Sequence, residues 1–163
     1  MNNINTQYHL KFKHIKPETI KAIRETIKLG LFKSENTKEF KEFLLKGLHE
    51  TLCFNYGLPL NEIVFINTPF CICNYNVVTE KITLNKPSLI SYLHEFKHYY
   101  DIKKHGTTNE ENARGWSIST YFLSTPKLCR SAIEKGLIIH QKIILSGEDC
   151  GPSIELNKVE VEV

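Results

Sequence analysis

The residues best equipped for chemistry lie in one run, Ser91-Tyr92-Leu93-His94-Glu95-Phe96-Lys97-His98-Tyr99-Tyr100-Asp101. On a helix, positions i and i+4 stand one above the other on the same face, so His94 and His98 can present two imidazole nitrogens to one divalent cation. Glu95 then lies about 100° further round the axis, beside such an ion rather than on it. That is where a general base must be to take a proton from a water whose pKa a cation such as Zn2+ has lowered toward about 7. The helix that carries these groups needs a face of its own to bury. Leu89, Leu93, Phe96 and Tyr100 supply it, on a stripe nearly opposite the histidines.

Two histidines do not complete a site, and a third protein ligand has to come from Asp101, His105, Glu110, Glu111 or His140. Asp101 follows on the same straight helix, where successive turns are about 5.4 Å apart, so it suits a hydrogen bond to a ligand better than ligation. His105 would require the helix to break soon after His98, and no glycine permits this before Gly106. Glu110 and Glu111 open a new helix after the Gly106 bend, and a carboxylate from either can complete a tetrahedral set. Spacing does not choose between them. Both also fit a helix start, because Thr107 with Glu110 and Thr108 with Glu111 each match a capping box.

The run His94-Glu95-Phe96-Lys97-His98, followed after eleven residues by Glu110-Glu111-Asn112-Ala113-Arg114-Gly115-Trp116-Ser117, resembles the short gluzincin-type zinc metallopeptidases. Within that group it is similar to the minimal bacterial and phage domains of the ImmA/IrrE family, whose pattern is HExxH, a loop, and a helix opening ExxAxxF(A). Position by position, Glu110 is the first Glu, Ala113 the Ala, Trp116 the aromatic and Ser117 the small residue. The strand Thr79-Glu80-Lys81-Ile82-Thr83-Leu84-Asn85 looks like the one that leads into the active-site helix of such domains, so the likeness spans about residues 60–124. It implies a zincin-like fold and Zn2+ held by His94, His98 and Glu110, with Glu95 catalytic. It also implies a metalloendopeptidase that cleaves a protein substrate such as a repressor or a partner toxin. Two positions depart from the pattern. Lys97 replaces a small residue, on what reads as a solvated helix edge, and Arg114 stands where some larger gluzincins carry an Asp that orients a ligand. Tyr121 and His140 are the candidates for stabilising an oxyanion.

The 163 residues, 41% hydrophobic and 24% charged, suit a single domain, and a net charge of +3 without a basic block argues against a nucleic-acid partner. Met1 to Gln7 lacks the basic and apolar regions of a secretory signal, and no run of about 18 apolar residues offers a membrane span. The five cysteines, Cys53, Cys71, Cys73, Cys129 and Cys150, follow no zinc-finger spacing and read as reduced thiols of a cytoplasmic protein. Cys71 and Cys73 point the same way on a strand, but two thiolates are an incomplete ligand set, and buried structural thiols are the simpler reading.

The elements that must position the site follow from periodicity. Tyr8, Leu10 and Phe12 alternate with polar residues as a short strand, and Pro17 opens a helix with Ile20, Ile23, Ile27 and Leu31 as its stripe. A second helix runs from about Asn36 to Gly57-Leu58-Pro59, with Phe40, Phe43, Leu44, Leu48, Leu52 and Cys53 inward and His49 at the surface or boundary. Strands are expected at Glu62–Asn67, Phe70–Tyr75 and Val78–Leu84, then the His94 helix over about Pro87–Lys104, the Glu110 helix, and a last helix over Thr125–Ile139. Residues 151–163 read as an edge strand or a tail. The expected fold is α+β, a small, mostly antiparallel sheet packed on the His94 helix with flanking helices. The expected function is zinc-dependent hydrolysis of a peptide bond. The alternative is a non-catalytic metal-containing interaction or inhibitory module of a mobile element, closed by a fourth protein ligand such as His105 or Cys150.

Overall fold

The computed structural model describes residues 9–11, 15–68, 73–127 and 153–155. The elements are β1 (His9–Lys11), α1 (Pro17–Lys28), α2 (Lys38–Asn55), β2 (Ile63–Phe65), β3 (Asn74–Tyr75), β4 (Ile82–Leu84), α3 (Leu89–His105), α4 (Glu110–Ser124) and β5 (Ser153–Glu155). The architecture is α+β, with a three-stranded sheet in the order β2-β4-β3 and a separate antiparallel pair of β1 with β5. The expected last helix, apart from its first residues, lies outside the described residues, as do Cys71, Cys129, His140 and Cys150. Among the described residues no helix is long and apolar enough to cross a membrane.

The sheet is mixed rather than mostly antiparallel. β3 and β4 pair antiparallel as expected, Tyr75 opposite Ile82, but β2 runs parallel to β4, with Ile63 opposite Ile82. β4 is therefore the central strand, and Ile82 and Leu84, which point to one face, are fully buried. Thr83 between them is half-buried.

α3 is the helix the rest packs on. Ser88 caps it, accepting from the Ser91 N–H, and Gly106 ends it in the left-handed region at φ 75°, where a side chain would be strained. Pro87 consequently stays outside the helix. Leu89, Tyr92, Leu93, Phe96 and Tyr99 are all buried, a wider face than the expected stripe, whose Tyr100 is only half-buried. Phe96 lies 5.9 Å from Trp116 of α4 and 5.6 Å from Tyr56 after α2, ring centre to ring centre, joining three helices in one aromatic cluster.

α2 is capped by Thr37, and its chain reverses through Gly57 at φ 63°, with the Leu58 N–H reaching back to the Cys53 carbonyl. Leu44, Leu45, Leu48, Leu52 and Cys53 are buried, whereas Phe40 and Phe43 stack on each other at the surface. α1 is turned slightly from its expected stripe, burying Thr19, Ala22, Ile23 and Thr26 while Ile20 and Ile27 are half-buried. Arg24 ties it to the end of α4 by donating to the carbonyls of Leu123 and Ser124.

His49 is a correction to its expected surface position, for it is buried among these elements. Its Nδ1 lies 2.9 Å from the Tyr92 hydroxyl and its Nε2 lies 2.6 Å from the Asn61 side-chain carbonyl. One neutral tautomer satisfies both, with Nε2–H donating to Asn61 and Tyr92 O–H donating to Nδ1. Burial lowers the pKa of His49, which keeps it in that neutral form. Asn61 in turn donates to the Glu80 carbonyl, so the network links α2, the turn before β4 and the start of α3.

Candidate metal centre

α3 places His94 and His98 one turn apart, and the α3–α4 turn brings Glu110 to them. Gly106 ends α3, and Asn109 caps α4 by accepting from the N–H groups of Glu111 and Asn112 at 2.8 and 3.1 Å. Glu110 is thereby the first residue of α4, on the turn that faces α3. Its carboxylate straddles the two rings, Oε2 3.1 Å from His94 Nε2 and Oε1 3.0 Å from His98 Nε2. The two Nε2 atoms are themselves 3.1 Å apart.

Those spacings can be compared with what a cation demands. Tetrahedral Zn2+ with bonds of about 2.0–2.1 Å sets its donors about 3.3–3.4 Å apart, so the observed separations need only a few tenths of an ångström of opening. Two imidazoles and a carboxylate are also the donor types that suit this ion. His94, His98 and Glu110 are the one such three-residue group among the described residues.

Thr108 completes the mounting of His98. Its Oγ1 lies 2.6 Å from His98 Nδ1. With Nδ1–H donating to that hydroxyl, Nε2 is left with its lone pair directed at Glu110 and His94, the tautomer that metal ligation requires. The expected capping role for Thr107 or Thr108 is taken by Asn109, which leaves the Thr108 side chain for the histidine.

The electrostatics divide the site into an inner and an outer edge. His98 and Glu95 are buried, His94 is half-buried, and the Glu110 side chain is 63% exposed. Burial, reinforced by the neighbouring His98 and partly offset by Glu110, pushes His94 down to about 4, so at neutral pH it meets Glu110 as a neutral hydrogen-bond partner rather than as an ion pair. Burial also pushes the Glu95 carboxyl up to about 7; the charge of Glu110 adds to the effect and the backbone of Tyr75 in β3 opposes it. Glu95 thus interacts with the ligand group through Glu110 and with the sheet through Tyr75.

Other expected participants stand elsewhere. Asp101 accepts from Lys97 Nζ at 2.5 Å, both side chains buried, so Asp101 is engaged with Lys97 and Lys97 is not on a solvated edge. Lys97 Nζ also lies over the Tyr100 ring. Glu111 is outside the three-residue group. His105 stacks edge-on against Tyr100. Tyr121 packs on Phe32 and stands eleven residues beyond Glu110, roughly 16 Å along the helix, too far to serve as an oxyanion donor. Cys73 donates to the Asn85 side chain; Cys53 is buried, and burial pushes its thiol up to about 11, so Cys53 is not an activated thiolate. Thr108 is the residue that sequence reasoning assigned to the wrong task, because a contact ten residues away across a glycine turn has no periodicity to show it.

No protein-family model, characterised protein or solved structure matches this chain.

Proposed function

We propose that this protein is a zincin-like, gluzincin-type metallopeptidase that hydrolyses a peptide bond in a protein or peptide substrate. One observation carries the reading: three converging donors, His94, His98 and Glu110, with Glu95, the residue after His94, a buried carboxyl that feels the charge of Glu110 and has a near-neutral pKa. A site for structure alone has no use for such a group. Zn2+ held by His94, His98 and Glu110 supplies Lewis acidity, lowering the pKa of water and polarising a carbonyl.

The chain's own residues do the rest. Glu95, poised near neutrality, accepts a proton from the attacking water as the new C–O bond forms, and returns it to the amine nitrogen as the C–N bond breaks. Thr108 holds the His98 tautomer throughout. Among the described residues β3 is one of the two outer strands of the sheet, and its Tyr75 backbone interacts with Glu95, so an extended peptide added to that edge passes the general base.

The experiment is to incubate zinc-loaded protein and its Glu95→Gln variant with a mixed peptide library and read cleavage by mass spectrometry. Cleavage by the wild type, with loss of at least about a hundredfold in a variant that still holds one zinc, is the expected result. A variant that cleaves at the wild-type rate rejects Glu95 as the base, and a zinc-loaded wild type that cleaves nothing rejects the reading.

A further inference from the structure

The inference concerns substrate selection at the proposed peptidase site and rests on that reading. Arg114 lies one turn after Glu110 on α4, its Nε 3.8 Å from Glu110 Oε2, the oxygen that faces His94. That separation is too long for a hydrogen bond, and among the described residues the guanidinium makes no other ion pair. Its side chain is 34% exposed, on the outer edge of the site where Glu110 and His94 are also the accessible members.

Charge decides what this cation is for. With a dication held by His94, His98 and Glu110, the charges of Glu95 and Glu110 would cancel it, and among these groups Arg114 would be the one unbalanced charge. Glu110 is then committed to the ion and no longer the best partner for the guanidinium. Glu111, the next residue of α4, stands three residues before Arg114 on the same side of the helix and is outside the ligand group. An Arg fork, planar and permanently charged, is matched by a carboxylate with two parallel hydrogen bonds. From the geometry, Arg114 Nε is within roughly 6 Å of the centre of the three donors and its outer nitrogens within roughly 8 Å, a span of about two residues of extended chain at most. We infer that Arg114 is the specificity-determining residue of the site, selecting substrates that carry a carboxylate one or two residues from the scissile bond. That carboxylate is either the free carboxyl terminus of a peptide or the side chain of Asp or Glu.

The test uses zinc-loaded full-length protein and three probes in calorimetric titrations: N-acetyl-dialanine with a free carboxyl terminus, its carboxyl-terminal amide, and N-acetyl-alanyl-glutamic acid α-amide, whose side-chain carboxylate is free. The inference expects the first or third probe to bind about tenfold or more tighter than the neutral amide. It also expects that preference to vanish in Arg114→Gln and to be partly kept in Arg114→Lys, while zinc affinity changes less than threefold. Which acid wins separates terminal from internal carboxylates. Equal binding of all three probes, or a preference that survives in Arg114→Gln, overturns the inference and leaves the peptidase reading intact. A large loss of zinc affinity in Arg114→Gln also overturns it, making Arg114 a positioning residue for Glu110. A wild type that binds no zinc overturns both.

Discussion

Replacing Glu95 by Gln removes a charge that the fold itself disfavours, and the consequence is measurable without any substrate. In the folded, metal-free chain the carboxyl is pushed from 4.5 to about 7, first by burial and then by Glu110. A group whose folded pKa is raised binds more protons folded than unfolded. Its contribution to stability is therefore complete below about 4.5 and is lost as the pH rises through about 7. At about 1.4 kcal/mol per tenfold change in proton affinity, the full interval corresponds to about 3 kcal/mol at pH 8. Because the site has an open edge, solvent screening reduces this to roughly 1–2 kcal/mol. Gln keeps the shape and an acceptor for the Tyr75 backbone while carrying no charge. In a chelator, Glu95→Gln should raise the urea midpoint by about 0.5–1 M at pH 8 and leave it nearly unchanged at pH 5. Added zinc should narrow the difference at pH 8, since a dication beside Glu95 favours the ionised form that the variant lacks. A variant no more stable than wild type at pH 8, or equally stabilised at both pH values, would refute the electrostatic picture of the site.

Other expectations follow from the same geometry. Glu110→Gln should weaken zinc binding at least tenfold in a competition titration, whereas Glu111→Gln should leave it within about twofold; the reverse order would show that the wrong glutamate has been chosen. Thr108→Val, which keeps the shape and removes the hydroxyl bonded to His98, should cost about 10–100-fold in zinc affinity with little change in the far-ultraviolet spectrum, and an unchanged affinity would exclude a positioning role. His49 has its pKa lowered by burial, so its contribution to stability is complete above about 6.5 and is lost as the pH falls below that value, by at most about 1.4 kcal/mol per pH unit. His49→Asn should be less stable than wild type at pH 7.5 and should lose less on acidification to pH 5.5 in chemical denaturation; parallel pH profiles would contradict this.

Much of the scaffold was legible because apolar spacing and end signals act locally. The α3 core face followed from Leu89, Leu93 and Phe96 at helical spacing, and its end from Gly106, which adopts the left-handed conformation that glycine favours. The two histidines share a face for the same periodic reason. Local signals failed where partners come from afar. The parallel pairing of β2 with β4 depends on which strand takes the centre of the sheet, and neither sequence pattern specifies it. Lys97 has no apolar spacing to mark it as inward, and a lysine is expensive to bury, but Asp101 four residues on provides the buried counter-charge. His49 offered a usable sign. It shares a stripe with Leu45, Leu48, Leu52 and Cys53, so its burial follows from position, although Tyr92 and Asn61, which satisfy it, do not. Glu110 and Glu111 were indistinguishable by spacing, and the Asn109 cap, which fixes where the helix starts, is what separates them.

The most direct test is X-ray absorption at the zinc edge on the full chain, purified without added metal and then loaded with one equivalent of zinc. The account predicts one tightly held ion per chain, two imidazole nitrogens and light oxygen neighbours at about 2.0–2.2 Å, no sulfur neighbour, and loss of the imidazole signature in a His94→Ala, His98→Ala double variant. A spectrum with sulfur at about 2.3 Å, or an unchanged spectrum in the double variant, would contradict it.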